Sequence, residues 1–238
     1  MEKIIYIYPA NQAGEFNHVL SEDTSMSSQS ILIPVTGRMT VALMAARILG
    51  QLGSGNTIRR LRVMSHGTVG TALIGENIND SNVGQLSPLR GRFSPNNEGA
   101  FFHGCRIASD RSATTGSLHT LSCSEIDALT SSPTPGMSFE DHMRGTWTPP
   151  PTPGSALPSS TTGLMLPVGY RFMWMAAISM NVPVTAPIDR QFAHLDAHGY
   201  DDSGWEGLFV TVNPDGTNSG EQRGTPFHRI YRSYCEAP

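Results

Sequence analysis

The feature that most constrains the fold of this chain is a set of short, apolar, β-branched runs separated by stretches of helical periodicity. Lys3–Tyr8 (KIIYIY) ends at Pro9 and predicts a buried strand. Arg60–Ser65 (RLRVMS) and Ala100–Gly104 (AFFHG) predict two more, and Ile31–Val35 a shorter one that Pro34 confines to an edge. Between them, Thr36 to Leu52 carries Val41, Met44, Ala45, Ile48, Leu49 and Leu52 on one helical face, with Thr36 as a cap and Gly53 to end the last turn. Pro167–Met180 predicts a second helix, with Pro167 tolerated in its first turn. Val182–Ala186, Gly207–Val212 and Phe227–Tyr234 are further strand candidates, with a turn at Asn213–Gly216 (NPDG). Strands alternating with helices predict an α/β fold, a three-layer sandwich around a mainly parallel central sheet.

The remaining stretches read as connections. Asn11–Ser30 is polar and Ser-rich, Thr71–Ile74 suits a short return strand, and Ser124–Leu129 a short helix. Residues 131–160 hold many Pro, Ser, Thr and Gly, including Thr148–Pro151 (TPPP), and form no regular element. The expectation is one domain over 1–238 with a long insertion at about 131–160. With 24 Gly, 17 Pro and 15% charged residues beside 38% hydrophobic ones, the chain reads as globular with long loops rather than disordered.

Charge and cysteine usage narrow the function classes. The net charge of −4 and the lack of a basic run argue against nucleic acid and anionic membranes as partners. No stretch reaches the roughly 18 apolar residues of a membrane span, and Met1–Pro9 has no small-residue cleavage site, so it reads as a strand and not a signal peptide. Cys105, Cys123 and Cys235 are odd in number and form no CxxC, which suits a reducing cytoplasm rather than a disulfide framework or a zinc finger. Gly50–Gly55 (GQLGSG) lacks the Lys of a phosphate loop, and Ser65 lies in SHG rather than GxSxG. No cofactor is implied.

Two segments carry chemistry. Leu61–Gly70 (LRVMSHGTVG) and Ala100–Ser109 (AFFHGCRIAS) are each a hydrophobic strand ending in a glycine step beside a reactive side chain. Their separation, 105 − 66 = 39 residues, leaves room for a hairpin and a connection. Two adjacent parallel strands would deliver the His66 imidazole and the Cys105 sulfur to one rim. A thiol is mostly protonated at neutral pH, so a neighbouring His makes it a usable nucleophile. The oxyanion that follows needs aimed donors, for which the N–H groups of Gly67 and Cys105 are candidates. The competing account makes Cys105 a packing cysteine and His66 a turn residue; the two strand contexts and both glycines together favour the chemical one.

The pair Val63-Met64-Ser65-His66-Gly67 and Phe101-Phe102-His103-Gly104-Cys105-Arg106 resembles the caspase-like (clan CD) cysteine peptidases, which carry a strand then His-Gly and another strand then Ala/Gly-Cys. With Leu73-Ile74-Gly75 and Ile107-Ala108 it is similar to a bacterial caspase-like domain of uncharacterised role. The likeness covers residues 60–110 well and 165–190 loosely. It implies an endopeptidase with a Cys-His dyad, His66 as base, Cys105 as nucleophile, Gly67 and Cys105 as oxyanion donors, a protein or peptide substrate and a regulatory protein partner. His103 before the Gly-Cys step and the long insertion depart from the pattern, and the insertion stands where such chains process themselves. In this family the segment after the next strand lines the pocket for the residue before the cut. Here it is Pro187–Gln191 (PIDRQ), which makes Asp189 a candidate partner for a basic substrate side chain. The alternatives are a catalytically inactive interaction domain of the same fold, and a metal-dependent hydrolase built on His194, Asp196 and His198 (HLDAH).

Overall fold

The structure, a computed structural model, describes residues 1–12, 29–110, 144–147, 166–189, 191, 205 and 207–224. The strands β1 (Glu2–Pro9), β2 (Ser30–Val35), β3 (Thr57–Met64), β7 (Gly99–His103), β8 (Val184–Pro187), β9 (Leu208–Val212) and β10 (Gln222–Arg223) form a seven-stranded sheet in the order β10-β9-β8-β7-β3-β1-β2. Pairing is parallel from β2 through β8, and β9 and β10 add antiparallel at one edge. The central sheet is therefore mainly parallel, and β2, with Pro34, is the edge strand at the other end. A second, three-stranded sheet is a small antiparallel meander of β4 (His66–Thr68), β5 (Thr71–Leu73) and β6 (Ile78–Asn79).

Among the described residues two α-helices cover the sheet, α1 (Val41–Leu52) and α2 (Val168–Met180), with a 3-10 segment at Val83–Leu89. From β2 to β3, β3 to β7 and β7 to β8 the chain steps across the sheet in the same sense. Right-handed crossovers then place all three intervening elements on one face. Packing agrees: the buried side chains of both helices join Val83, Leu86 and Leu89 and the inward residues Ile5, Leu61, Phe102, Val184 and Val212 in one core. Phe102 meets Phe172 of α2 edge-on, with ring centroids 5.2 Å apart. The opposite face carries a second cluster of Ile4, Tyr6 and Met64. Among the described residues the helices thus form one layer on the sheet, where the sequence predicts two.

The helix α1 begins later than expected from its sequence. Thr40, not Thr36, is the cap, its hydroxyl accepting from the Leu43 N–H at 3.2 Å. Glu76 accepts from the Val41 N–H at 2.9 Å and Gln85 from that of Ala42 at 3.1 Å, so distant side chains satisfy the helix start. Gly53 ends the helix with φ 68°, its N–H donating to Leu49 at 3.2 Å. The turn at 213–216 is present, with the Gly216 N–H on the Asn213 carbonyl at 3.0 Å. The candidates Ser124–Leu129 and Phe227–Tyr234 lie outside the described residues. Among those residues, no helix is long and apolar enough to cross a membrane.

Because Phe102 is fully buried and joins the sheet to α2, Phe102→Ala should lower unfolding stability by about 3–5 kcal/mol. Chemical denaturation measures this, and a loss under about 1 kcal/mol would mean that the site collapses freely and that this contact does not hold the layers together.

Candidate functional site

The central strands β3 and β7 pair in parallel with Met64 opposite His103. The Ser65 N–H continues the ladder onto the His103 carbonyl at 2.9 Å. His66 is two residues beyond Met64 (66 − 64 = 2) and Cys105 two beyond His103 (105 − 103 = 2), so both leave the same rim at equal steps. His66 is exposed and opens β4, whose register sets it opposite Leu73 of β5. Cys105 is half-buried, and its thiol donates to the Gln191 carbonyl at 3.3 Å.

Both glycines of the paired motif sit where main chains touch. A Cβ on Gly67 would lie 2.7 Å from the Cys105 carbonyl oxygen and 2.7 Å from Ile107 Cγ1. One on Gly104 would lie 2.8 Å from the Ser65 oxygen and 3.1 Å from the Gly67 nitrogen. The space a Cβ on Gly67 would need is thus filled by the chain's own Cys105 turn and not left open to a ligand. That turn is anchored by the Gly70 N–H on Ile107 (3.0 Å), the Ala108 N–H on Pro187 (2.9 Å) and the Arg106 N–H on Asp189 (3.0 Å). Arg106 itself adopts φ 54°, a left-handed backbone that side chains seldom tolerate.

Asp189 follows β8, the next strand along, so His66, Gly67, Cys105 and Asp189 all gather at the carboxyl ends of three neighbouring parallel strands. Its side chain is buried, and each oxygen accepts a main-chain N–H: Oδ1 from Gly145 and Oδ2 from Leu208, both at 2.7 Å. Burial pushes its carboxyl up from the usual range, while those two N–H groups and the nearby Arg144 and Arg106 charges pull it back. The carboxylate thus already holds the fold together at the place assigned to substrate. His194, Asp196 and His198 lie outside the described residues, among which no cluster of three or more metal-ligating side chains occurs.

In the sequence His103 stands out only as a departure from the caspase-like pattern. Its ring stacks on Trp205 at 4.4 Å and 10°, inside a column that includes Phe101 and Phe209. Its Nε2 is buried without a hydrogen-bond partner. Burial, then the charges of Arg62 and Arg60, hold its pKa well below the ordinary value of 6.5. The sequence signal for this was the alternation of Phe101 and His103 on one strand face, beside Arg60 and Arg62 on the next.

A histidine kept neutral in the fold binds its proton more readily when unfolded. Its contribution is therefore constant above about pH 6.5, and stability falls as the pH drops from there toward its lowered folded value. Melting temperatures between pH 7.5 and 5.5 should fall more steeply for the parent than for His103→Phe, which keeps the stack and loses no hydrogen bond. Parallel slopes would show that His103 is not shielded.

Compared with protein-family models, with curated proteins and with solved structures, the chain finds no match.

Proposed function

We propose that this chain is a caspase-like cysteine endopeptidase, an α/β domain with a mainly parallel central sheet in which Cys105 is the nucleophile and His66 its base. One observation carries the reading: the register that sets His66 and Cys105 at equal steps beyond two adjacent parallel strands, with contacts between them that only Gly67 and Gly104 permit. An isolated Cys and His would not need a pair of glycines packed main chain to main chain.

In this reaction His66 takes the thiol proton as sulfur bonds to the substrate carbonyl carbon. The N–H groups of Gly67 and Cys105 receive the developing oxyanion. Collapse of the tetrahedral species breaks the C–N bond, and the proton passes from His66 to the departing amine. Water then attacks the thioester carbon, giving up a proton to His66, and the carboxylic product leaves as the thiol re-forms. The thiol starts as a donor to the Gln191 carbonyl, so substrate binding has to replace that contact. A basic side chain before the cut would draw on Asp189, whose oxygens retain acceptor capacity beyond the two N–H groups they hold. The substrate is a protein or peptide, with no cofactor, and the expected compartment is the reducing cytoplasm, where Cys105 stays a thiol.

The test is a cleavage screen with peptides varied at the residue before the cut, run on the parent, Cys105→Ala and His66→Ala. Both variants should fold and lose turnover by at least ~10³-fold. Cys105→Ala cleaving as well as the parent sinks the peptidase reading. A folded parent that cleaves nothing, with a Cys105 inert toward a thiol-directed electrophile, favours the non-catalytic interaction domain.

A further inference from the structure

The segment Arg144–Trp147 lies within the Pro/Ser/Thr-rich stretch, yet it is docked rather than merely adjacent. The Gly145 N–H donates to Asp189 Oδ1 at 2.7 Å, and Arg106 Nη2 donates to the Arg144 carbonyl at 2.8 Å. The Thr146 carbonyl accepts from the Asp110 N–H at 2.8 Å, and Ser109 Oγ pairs with the Thr146 N–H at 3.1 Å and its carbonyl at 3.2 Å. Trp147 meets Tyr170 of α2 with centroids 5.8 Å apart. Three of the residues that grip the segment, Arg106, Ser109 and Asp189, are themselves buried.

The fit is steric as well as polar. A Cβ on Gly145 would run into the Ile188 carbonyl oxygen and stand 3.0 Å from Ser109 Oγ. Only glycine passes there. The residues that hold the segment also hold the nucleophile's turn: the Asp189 main-chain carbonyl accepts from the Arg106 N–H next to Cys105, and the Gln191 carbonyl, two residues on, accepts from the Cys105 thiol.

We infer that Arg144–Trp147 is a cis-acting strap that, through Asp189 and Arg106, keeps the Cys105 turn closed, so that displacing the strap opens Cys105 to reagents and ligands from solution. Its release strips a main-chain donor from the buried Asp189 carboxylate and a carbonyl from the buried Arg106 guanidinium. Neither group is left in place at no cost, so the turn between them rearranges. The strap couples a cut or a partner in the insertion to the state of the thiol without a contact at Cys105 itself.

The measurement is the rate of Cys105 alkylation by iodoacetamide at neutral pH, read by mass spectrometry, with Cys123 and Cys235 quantified in the same digest. Gly145→Val, which bars docking, should raise the Cys105 rate about tenfold or more, and Asp189→Asn should raise it as well. Thr146→Ala keeps all three of these Thr146 bonds, which its main chain makes, and should match the parent. A folded Gly145→Val chain alkylated within twofold of the parent overturns the strap. Should that variant not fold, hydrogen exchange in the parent decides: the amides of Gly145, Thr146 and Asp110 should be protected to the same degree as that of Arg106, and free exchange at the first three overturns the inference. Alkylation reads the turn and not turnover, so its failure leaves the peptidase reading intact, and a catalytically silent chain leaves the strap intact.

Discussion

The parallel pairing of Thr57–Met64 with Gly99–His103 is the contact from which the rest of this molecule takes its geometry. Those two strands sit at the middle of the sheet, so their inward side chains, Leu61, Val63, Ala100 and Phe102, anchor the core that both helices cover. A slip of one residue would turn those side chains to the other face and carry Arg60, Arg62 and His103 into the apolar layer. The hydrophobic pattern therefore holds the register, and the register holds His66 and Cys105 at one rim. Gly67 and Gly104 complete the arrangement by letting the two chains touch just beyond the last ladder bonds.

Two titratable side chains flank that rim, Asp189 buried and His103 half-buried with its Nε2 shut off from solvent, and they are handled in opposite ways. Asp189 receives a main-chain N–H on each oxygen and feels two arginines, so a carboxylate can be held where burial alone would neutralise it. His103 receives no such partner at Nε2 and lies beside Arg60 and Arg62, so the neutral ring stacks as an aromatic on Trp205. The arginines there are themselves occupied: Arg60 pairs with Glu98 and lies over Phe101 at 5.4 Å, and Arg62 lies over Tyr6 at 5.8 Å. Asp189 serves as a hub for main chain, His103 as part of an aromatic column with a latent charge.

How the polar hub works bears on what Asp189 is for. An aspartate after a strand is ordinarily a turn former, and here it ties β8 to β9 through Leu208 and to the 144–147 segment through Gly145. This structural task and a task toward a basic substrate share the same oxygens. Any substrate that uses the carboxylate does so in the presence of the chain's own claim on it.

Local pattern alone was enough to read the strands at Lys3–Tyr8, Arg60–Ser65 and Ala100–Gly104, the edge position of Pro34, the apolar face of α1 and the Gly53 stop. Periodicity and the missing N–H of proline act over a few residues and need no distant partner. The same holds for the two strand-glycine steps that single out His66 and Cys105. Boundaries and partners were decided elsewhere. Thr40 caps α1 because Glu76 and Gln85 come from across the chain to its first turn. The strands β6 and β10, two residues each, exist only through their neighbours. The burial of Asp189, the unpartnered Nε2 of His103 and the docking of Gly145 depend on residues 19 to 102 positions away, brought together by strand order. Composition and spacing state what a side chain is able to do; only the packed sheet determines which polar groups lose their water and which main-chain groups replace it.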